Sequence, residues 1–222
     1  MLGPVHARLR LALIALTLCA IAAVAGVTLA GRTGVASQPV ELANGWAGAQ
    51  RPQGLDVPTF TLRDQDGKPV SSASLTGRPT LYAFIYSTCQ DTCPAEVQTI
   101  RGTLDDTHSK ANVIGISVDP RNDTPARAKT FLVEQHMTGR MRYLLGTQAQ
   151  LAPIWKQFGI VPQTTGAEHT AHIVIADARG RQLIGFPFAT LTQPGLDHDL
   201  RRIDAQPTDA TVSTGAARLT GS

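Results

Sequence analysis

The run Thr80-Leu-Tyr-Ala-Phe-Ile-Tyr86 is apolar or aromatic almost throughout and leads straight into Ser-Thr-Cys89-Gln-Asp-Thr-Cys93-Pro94. Alternation disappears when neither face of a strand meets water, so an unbroken apolar run reads as a strand covered on both sides. Proline suits the first turn of a helix, where its missing N–H has no partner to lose. A core strand and a helix therefore meet end to end, with two thiols at the junction. That junction restricts the chain to folds in which helices cover a sheet.

The flanking sequence keeps the same alternation. Pro58-Thr-Phe-Thr-Leu-Arg63 reads as a strand, Asp64-Gln-Asp-Gly67 as its turn, and Val70 as part of a second strand. After the Cys pair, Ala95, Val97, Ile100 and Leu104 form one apolar stripe at helical spacing. Val113 to Val118 is a second buried strand, and Thr124 caps a helix from Pro125 to about Gln135. Tyr143 to Leu145 is a short strand and Ala149 to Phe158 a helix. Ile173 to Ala176 is a third buried strand, Gln182 to Phe186 turns back beside it, and Leu196 to Ile203 is the last helix. This order describes an α/β fold with a central mixed sheet flanked by helices. A thiol pair opening a helix directly after a core strand narrows it to a thioredoxin-like fold.

The N-terminus bears on location. Leu11 to Gly31 contains no charged residue, and its length matches the roughly 20 residues a helix needs to cross a bilayer. Arg8 and Arg10 precede it and Arg32 follows, which favours an N-in orientation. Residues 1–10 then read as cytoplasmic, 11–31 as a transmembrane anchor, and the remainder as extracytoplasmic, in the periplasm or on the outer face of the cell membrane. A cleaved signal peptide competes with this reading, although its apolar region would be about 7–15 residues. Cys19 lies inside the segment, and Leu18 before it does not suit a lipid-attachment site. Residues 32–53 read as a linker, 54–205 as one domain, and the Thr-, Ala- and Ser-rich 206–222 as a disordered tail. The chain carries 20 basic and 17 acidic side chains; without Arg8 and Arg10, 18 basic residues face 17 acidic ones. Near neutrality implies no basic nucleic-acid surface.

Cys89 and Cys93 can share one thiophilic metal ion or close into a disulfide. The positive end of a helix favours thiolate over thiol, and thiolates select soft metals such as Cu(I), or Zn(II). A disulfide would close a very small loop and restrain the unfolded chain little. A metal needs further ligands, and the sequence offers six histidines. His6 lies across the membrane, His108 closes a helix, and His198 sits in a charged helix. His136, with Met137 and Met141, reads as a helix end and strand start. His169 and His172 flank the entrance of the third core strand with opposite parity: 169 goes with Ile173, 172 with Val174 and Ala176. His172 reads as a hydrogen-bonded core histidine, and His169 sits at the strand's mouth after a Gly-containing loop.

At these residues the chain resembles the Sco/SenC copper-delivery proteins. Cys89-Gln-Asp-Thr-Cys93-Pro94 after Phe84-Ile-Tyr-Ser is similar to that family's thiol motif. Ile116-Ser-Val-Asp-Pro-Arg-Asn-Asp-Thr-Pro125 is similar to its second signature, and His169-Thr-Ala-His-Ile-Val-Ile-Ala-Asp-Ala-Arg-Gly180 to its third. The resemblance spans about Val57 to Ile203, with Gln90 in place of a more usual proline and His172 as an extra histidine. It implies a copper site, Cu(I) or Cu(II), held by Cys89, Cys93 and His169. It further implies a metallochaperone rather than an enzyme, delivering copper to the binuclear site of cytochrome c oxidase subunit II. The same two cysteines, if oxidised, would form a redox-active pair served by a thiol–disulfide reductase partner. Asp91 and Asp119 fall near the site by motif, as outer-shell or turn residues.

Three other functions compete. A membrane-anchored thiol–disulfide oxidoreductase would keep the acceptor's cysteines reduced, but the thioredoxin pattern wants a proline where Glu168-His169-Thr170-Ala171 stands. A peroxiredoxin-like peroxidase, suggested by Cys93-Pro94-Ala95-Glu96, wants Thr or Ser where Gln90 stands. A redox or copper sensor shares every feature above.

Overall fold

In a computed structural model of the chain, the described residues are 14, 16–19, 40–163 and 172–206. The chain divides into residues 1–39 and 40–222. In the first unit, Ile14 and residues 16–19 are helical and exposed, and the Thr17 hydroxyl donates to the Ile14 carbonyl at 2.9 Å. The rest of the apolar run read as an anchor lies outside the described residues, as does the tail from 207. Among the described residues no helix is long and apolar enough to cross a membrane.

The second unit is built on β4 (Thr80–Ile85), whose residues are all buried. Strands β5 (Asn112–Ser117) and β6 (Arg142–Leu144) follow it in parallel on one side. On the other side β7 (His172–Ala176) runs antiparallel to β4, and β8 (Gln182–Pro187) antiparallel to β7. A two-residue strand, β1 (Ala49–Gln50), closes the β8 edge and gives the order β1-β8-β7-β4-β5-β6. A separate hairpin, β2 (Thr61–Arg63) with β3 (Pro69–Ser71), turns through Asp64 to Gly67.

Period-two alternation sends the sheet's side chains to two cores. Leu81, Ala83, Ile85, Ile173 and Ile175 meet helices α1 (Thr92–Thr107), α2 (Pro125–Glu134) and α4 (Gln193–Asp204) on one face. Tyr82, Phe84, Ile114, Ile116 and Val174 meet helix α3 (Gln148–Phe158) and the β2–β3 hairpin on the other. There Phe158 lies against Tyr82 and Phe84, with ring centroids 5.1 and 5.0 Å away. Helix starts follow the side chains present. Thr124 accepts from Arg127 N–H with Pro125 in the first turn, and Thr147 forms a capping box with Gln150. The mixed sheet flanked by helices is the thioredoxin-like arrangement expected from sequence.

The folded unit reaches back into residues that the sequence reading left to the linker. Trp46 is buried, β1 pairs with β8, and the carboxylate of buried Asp199 on α4 accepts from Ala47 N–H and Gly48 N–H, both at 2.9 Å. Arg202 lies over the Trp46 ring at 4.3 Å. Two strand residues, Ala and Gln, carry no periodicity that sequence inspection could register.

Candidate metal centre

Strand β4 ends at Ile85, and a short turn through Ser87 and Thr88 brings Cys89 to the mouth of α1. Cys93 is the second residue of that helix. Both are free thiols, Cys93 fully buried and Cys89 6 % exposed, and both belong to the core shared by β4, β7 and α1. The Cys93 N–H donates to the Cys89 sulfur at 3.3 Å, and the Thr92 hydroxyl lies 3.5 Å from the same atom. The orphan amides of a helix N-terminus are thus aimed at one sulfur.

These contacts divide the charge unequally. A hydrogen bond from the Cys93 thiol, with lesser help from Thr92 and the backbone amides, lowers the Cys89 thiol to about 4 against the cost of burial. The same hydrogen bond and burial push the Cys93 thiol far up. In a coupled pair the proton belongs to both sulfurs, and its preferred place is Cys93, which leaves Cys89 as thiolate. The helix entrance therefore favours thiolate at one position only, not at both.

An acid lies one turn further along α1. Glu96 is fully buried, and neither carboxyl oxygen has a hydrogen-bond partner among the described residues. Burial first, then the charge on Cys89, raises it to about 8.

The turn that carries the thiols is held by Asp123, a residue the sequence reading passed over. Its Oδ1 accepts from Ser87 N–H at 2.7 Å and Ser87 hydroxyl at 2.5 Å. Its Oδ2 accepts from the Ser117 hydroxyl at 2.5 Å and the Tyr143 hydroxyl at 2.9 Å. One carboxylate thereby ties the Cys turn to the ends of β5 and β6. The signal available in the sequence was serine at the ends of two core strands, each needing an acceptor once buried.

The other expected residues fall as follows. Asp119 serves its own turn, accepting from the Asn122 side chain at 2.7 Å, and Asp91 is exposed at the N-cap of α1 without a capping bond. His108 ends α1 in the left-handed region at φ 54, and His136 is exposed while Met137 and Met141 are core. His198 lies on α4 with its Nδ1 2.8 Å from Asp199. His172 faces the core of Val174, on the opposite side of the sheet from the thiols: its Nε2 lies where a Cβ on Gly185 would sit, and Gly185 is the partner of Val174. Burial, then the charge of Arg51, lowers His172 to about 4. Its Nε2 has no partner among the described residues, so the hydrogen-bonded core histidine expected from sequence is only half right. His169 lies outside the described residues. Among those described, no three His, Cys, Asp or Glu side chains gather around one metal position.

A mixed sheet whose central strand feeds a dithiol into a helix mouth defines a thioredoxin-like domain with a thiol pair at the end of that strand. The SCO1/SenC family profile matches residues 48–203, and the chain belongs to that family. It is 37% identical over 83 residues to the SCO1 protein homolog of Bacillus subtilis, covering 36% of this chain and 43% of that protein. It is 33% identical over 105 residues to mitochondrial SCO2 of Saccharomyces cerevisiae, covering 46% of this chain and 34% of that protein. Both matches span less than half the length of the relative. Among solved structures, copper-bound ScoI of Bradyrhizobium japonicum is 34% identical and covers 67% of this chain and 99% of that one, at TM-score 0.55. Yeast Sco1 shares the fold at TM-score 0.61 and 20% identity, covering 71% of this chain and 100% of that one.

Proposed function

We propose that this chain is a membrane-anchored, extracytoplasmic copper chaperone that holds copper through Cys89, Cys93 and His169 and passes it to the binuclear site of cytochrome c oxidase subunit II. The observation that carries the reading is the preformed, buried pair of sulfurs with the charge on Cys89. Such a pair suits a soft monovalent cation, and the similar ScoI structure is one with copper bound. Copper enters this scheme as cargo. Cys89 meets it as thiolate, Cys93 gives up its proton as it joins, and the apolar core around both keeps water from the sulfurs. The third ligand in this reading is His169, which lies outside the described residues. A neutral imidazole there would complete a three-coordinate site. An anchor at 11–31 would hold donor and acceptor in one membrane and raise their effective concentration.

The contact between the two sulfurs also favours a second reading, a thiol–disulfide oxidoreductase that keeps the acceptor's cysteines reduced. Titration of the reduced full chain with Cu(I) against a competing chelator separates the two. The copper reading expects one site, lost in Cys89→Ser and Cys93→Ser, strongly weakened in His169→Ala and unchanged in His172→Ala. Copper binding indifferent to both thiols, with insulin-disulfide reduction dependent on them, establishes the second reading instead.

A further inference from the structure

The near neutrality of the whole chain conceals a local excess of positive charge. A cleft of about 780 Å³ is lined by Lys68, Arg78, Lys110, Lys129, Arg140 and Arg142. These are six of the chain's 20 basic side chains, against only Asp64 and Asp66 of its 17 acidic ones, which leaves 14 basic and 15 acidic residues elsewhere. The strand register explains the gathering. Thr80 of β4 pairs with Asn112 of β5, and Ile114 of β5 with Arg142 of β6. Arg78 and Lys110 therefore enter adjacent parallel strands at the same height, and Arg140 and Arg142 enter the next one. Lys68 comes from the β2–β3 turn and Lys129 from α2. Ion pairs spend only part of this charge. Lys129 meets Asp66 at 3.0 Å and Arg140 meets Asp105 at 2.8 Å. One oxygen of Asp64 accepts from the backbone N–H groups of Asp66 and Lys68, both at 2.9 Å, so that acid serves its own turn. Lys68, Arg78, Lys110 and Arg142 have no ion-pair partner among the described residues, and the first three are exposed. Val70, Val113 and Met141, all buried, also line the cleft and add no charge.

We propose that this cleft binds a phosphate-bearing anion. Like charges held together repel, and a multivalent anion relieves that repulsion at several side chains at once. Phosphate suits the cleft better than a lone carboxylate. It carries roughly two charges and several acceptor oxygens at neutral pH, and the planar forks of Arg78 and Arg142 match such oxygens in pairs. The strands also fix where the site lies. Arg78 precedes β4 and Cys89 follows it, and the six residues of that strand span about 20 Å. A bound anion therefore leaves the sulfurs untouched, and cleft and dithiol can be occupied together. The inference stands apart from the copper reading. It gives the domain a second contact, at the end of the sheet remote from the thiols, for a phosphate either free in solution or carried on a lipid headgroup.

Lysine acetylation of the copper-free full chain, read residue by residue by mass spectrometry, tests the site. In vesicles of phosphatidylcholine alone, sodium pyrophosphate is expected to slow labelling of Lys68 and Lys110 by about tenfold at saturation, relative to sodium chloride of equal ionic strength. Lys156, exposed on α3 and outside the cleft, is expected to label at an unchanged rate. Arg78→Gln with Arg142→Gln is expected to raise the pyrophosphate concentration needed for protection by about tenfold. Should that double variant not fold, Arg78→Gln alone, at an exposed position, carries the comparison. The second arm omits pyrophosphate and uses vesicles of equal parts phosphatidylcholine and phosphatidic acid. The same footprint there assigns the phosphate to a lipid headgroup, and protection by pyrophosphate only assigns it to a soluble anion. Absence of protection in both arms overturns the inference. So does protection that extends equally to Lys156 or that survives the arginine substitutions. A tetra-aspartate peptide that protects as well as pyrophosphate at equal charge overturns it too. Because neither copper nor the thiols take part, this outcome and that of the Cu(I) titration are separate results.

Discussion

Replacing Asp123 with alanine strikes the point where the Cys turn is fastened to the sheet. The substitution removes an acceptor used by the Ser87 N–H, the Ser87 hydroxyl, the Ser117 hydroxyl and the Tyr143 hydroxyl. These donors do not suffer equally. Ser87 is partly exposed and can turn to water, and the Tyr143 hydroxyl keeps the Ile85 carbonyl at 3.2 Å. Ser117 is fully buried and has no such recourse. Each hydrogen bond to a charged group is worth about 1.5–3 kcal/mol net, and a buried donor left alone costs about 1–3 kcal/mol. Part of this is offset because the buried carboxylate is itself costly to desolvate. The expected loss for Asp123→Ala is therefore about 3–5 kcal/mol, measured by urea unfolding of the reduced protein at an unchanged slope. In a domain of roughly 150 residues that corresponds to about 6–20 °C in Tm. Asp123→Asn retains one acceptor oxygen of the same shape, and its expected loss is about half as large. A loss below about 1 kcal/mol in the alanine variant refutes the accounting. So does an asparagine variant as stable as the parent, since the loss in alanine would then come from volume rather than from hydrogen bonds to a charged acceptor.

Glu96→Gln tests the buried acid. The folded-state value near 8 lies above the ordinary 4.5, so the folded protein binds the extra proton, and that contribution is present below about pH 4.5 and lost as pH rises through 8. The glutamine variant is expected to gain stability relative to the parent from pH 5 to pH 9, read from thermal melts across that range; a constant difference would refute the assignment. Asp199→Ala leaves Ala47 N–H and Gly48 N–H without their acceptor. Amide exchange over residues 47–50 is expected to quicken by about tenfold or more, with a global loss of about 1–3 kcal/mol. Unchanged exchange there would mean that β1 is held by its pairing with β8 alone.

Apolar runs and capping residues carried most of the fold at the level of sequence. Thr80 to Tyr86 and Val113 to Val118 announced core strands because burial on both faces leaves no polar position to confuse the pattern. Thr124-Pro125 marked a helix start through chemistry confined to adjacent residues. What escaped notice depends on partners distant in the chain. β1 is a strand only because β8 offers an edge and Asp199 an acceptor some 150 residues away. Asp123 looks like any turn acid until Ser87 and Tyr143 converge on it. At the site, the thiol pair and its place at a helix mouth were legible from spacing. Its charge asymmetry was not, because that arises chiefly from side-chain contacts of Cys93 and Thr92 with the Cys89 sulfur that spacing does not encode. His172 was assigned to a hydrogen-bonded place in the core because it lies inside the apolar run; the strand takes it in half-buried, and its Nε2 finds no partner among the described residues.

The way the sheet ends on either side has a consequence for how such domains coexist. Open strand edges invite pairing between copies of a domain. The outer strand on one side is the two-residue β1, too short to template another chain. On the other side β6 has its Tyr143 N–H taken by the Gln65 side chain at 2.9 Å, while the adjoining Leu145 N–H donates to the Arg63 carbonyl at 2.8 Å. With both margins blunted, copies of this domain can crowd side by side without zipping together through their sheets.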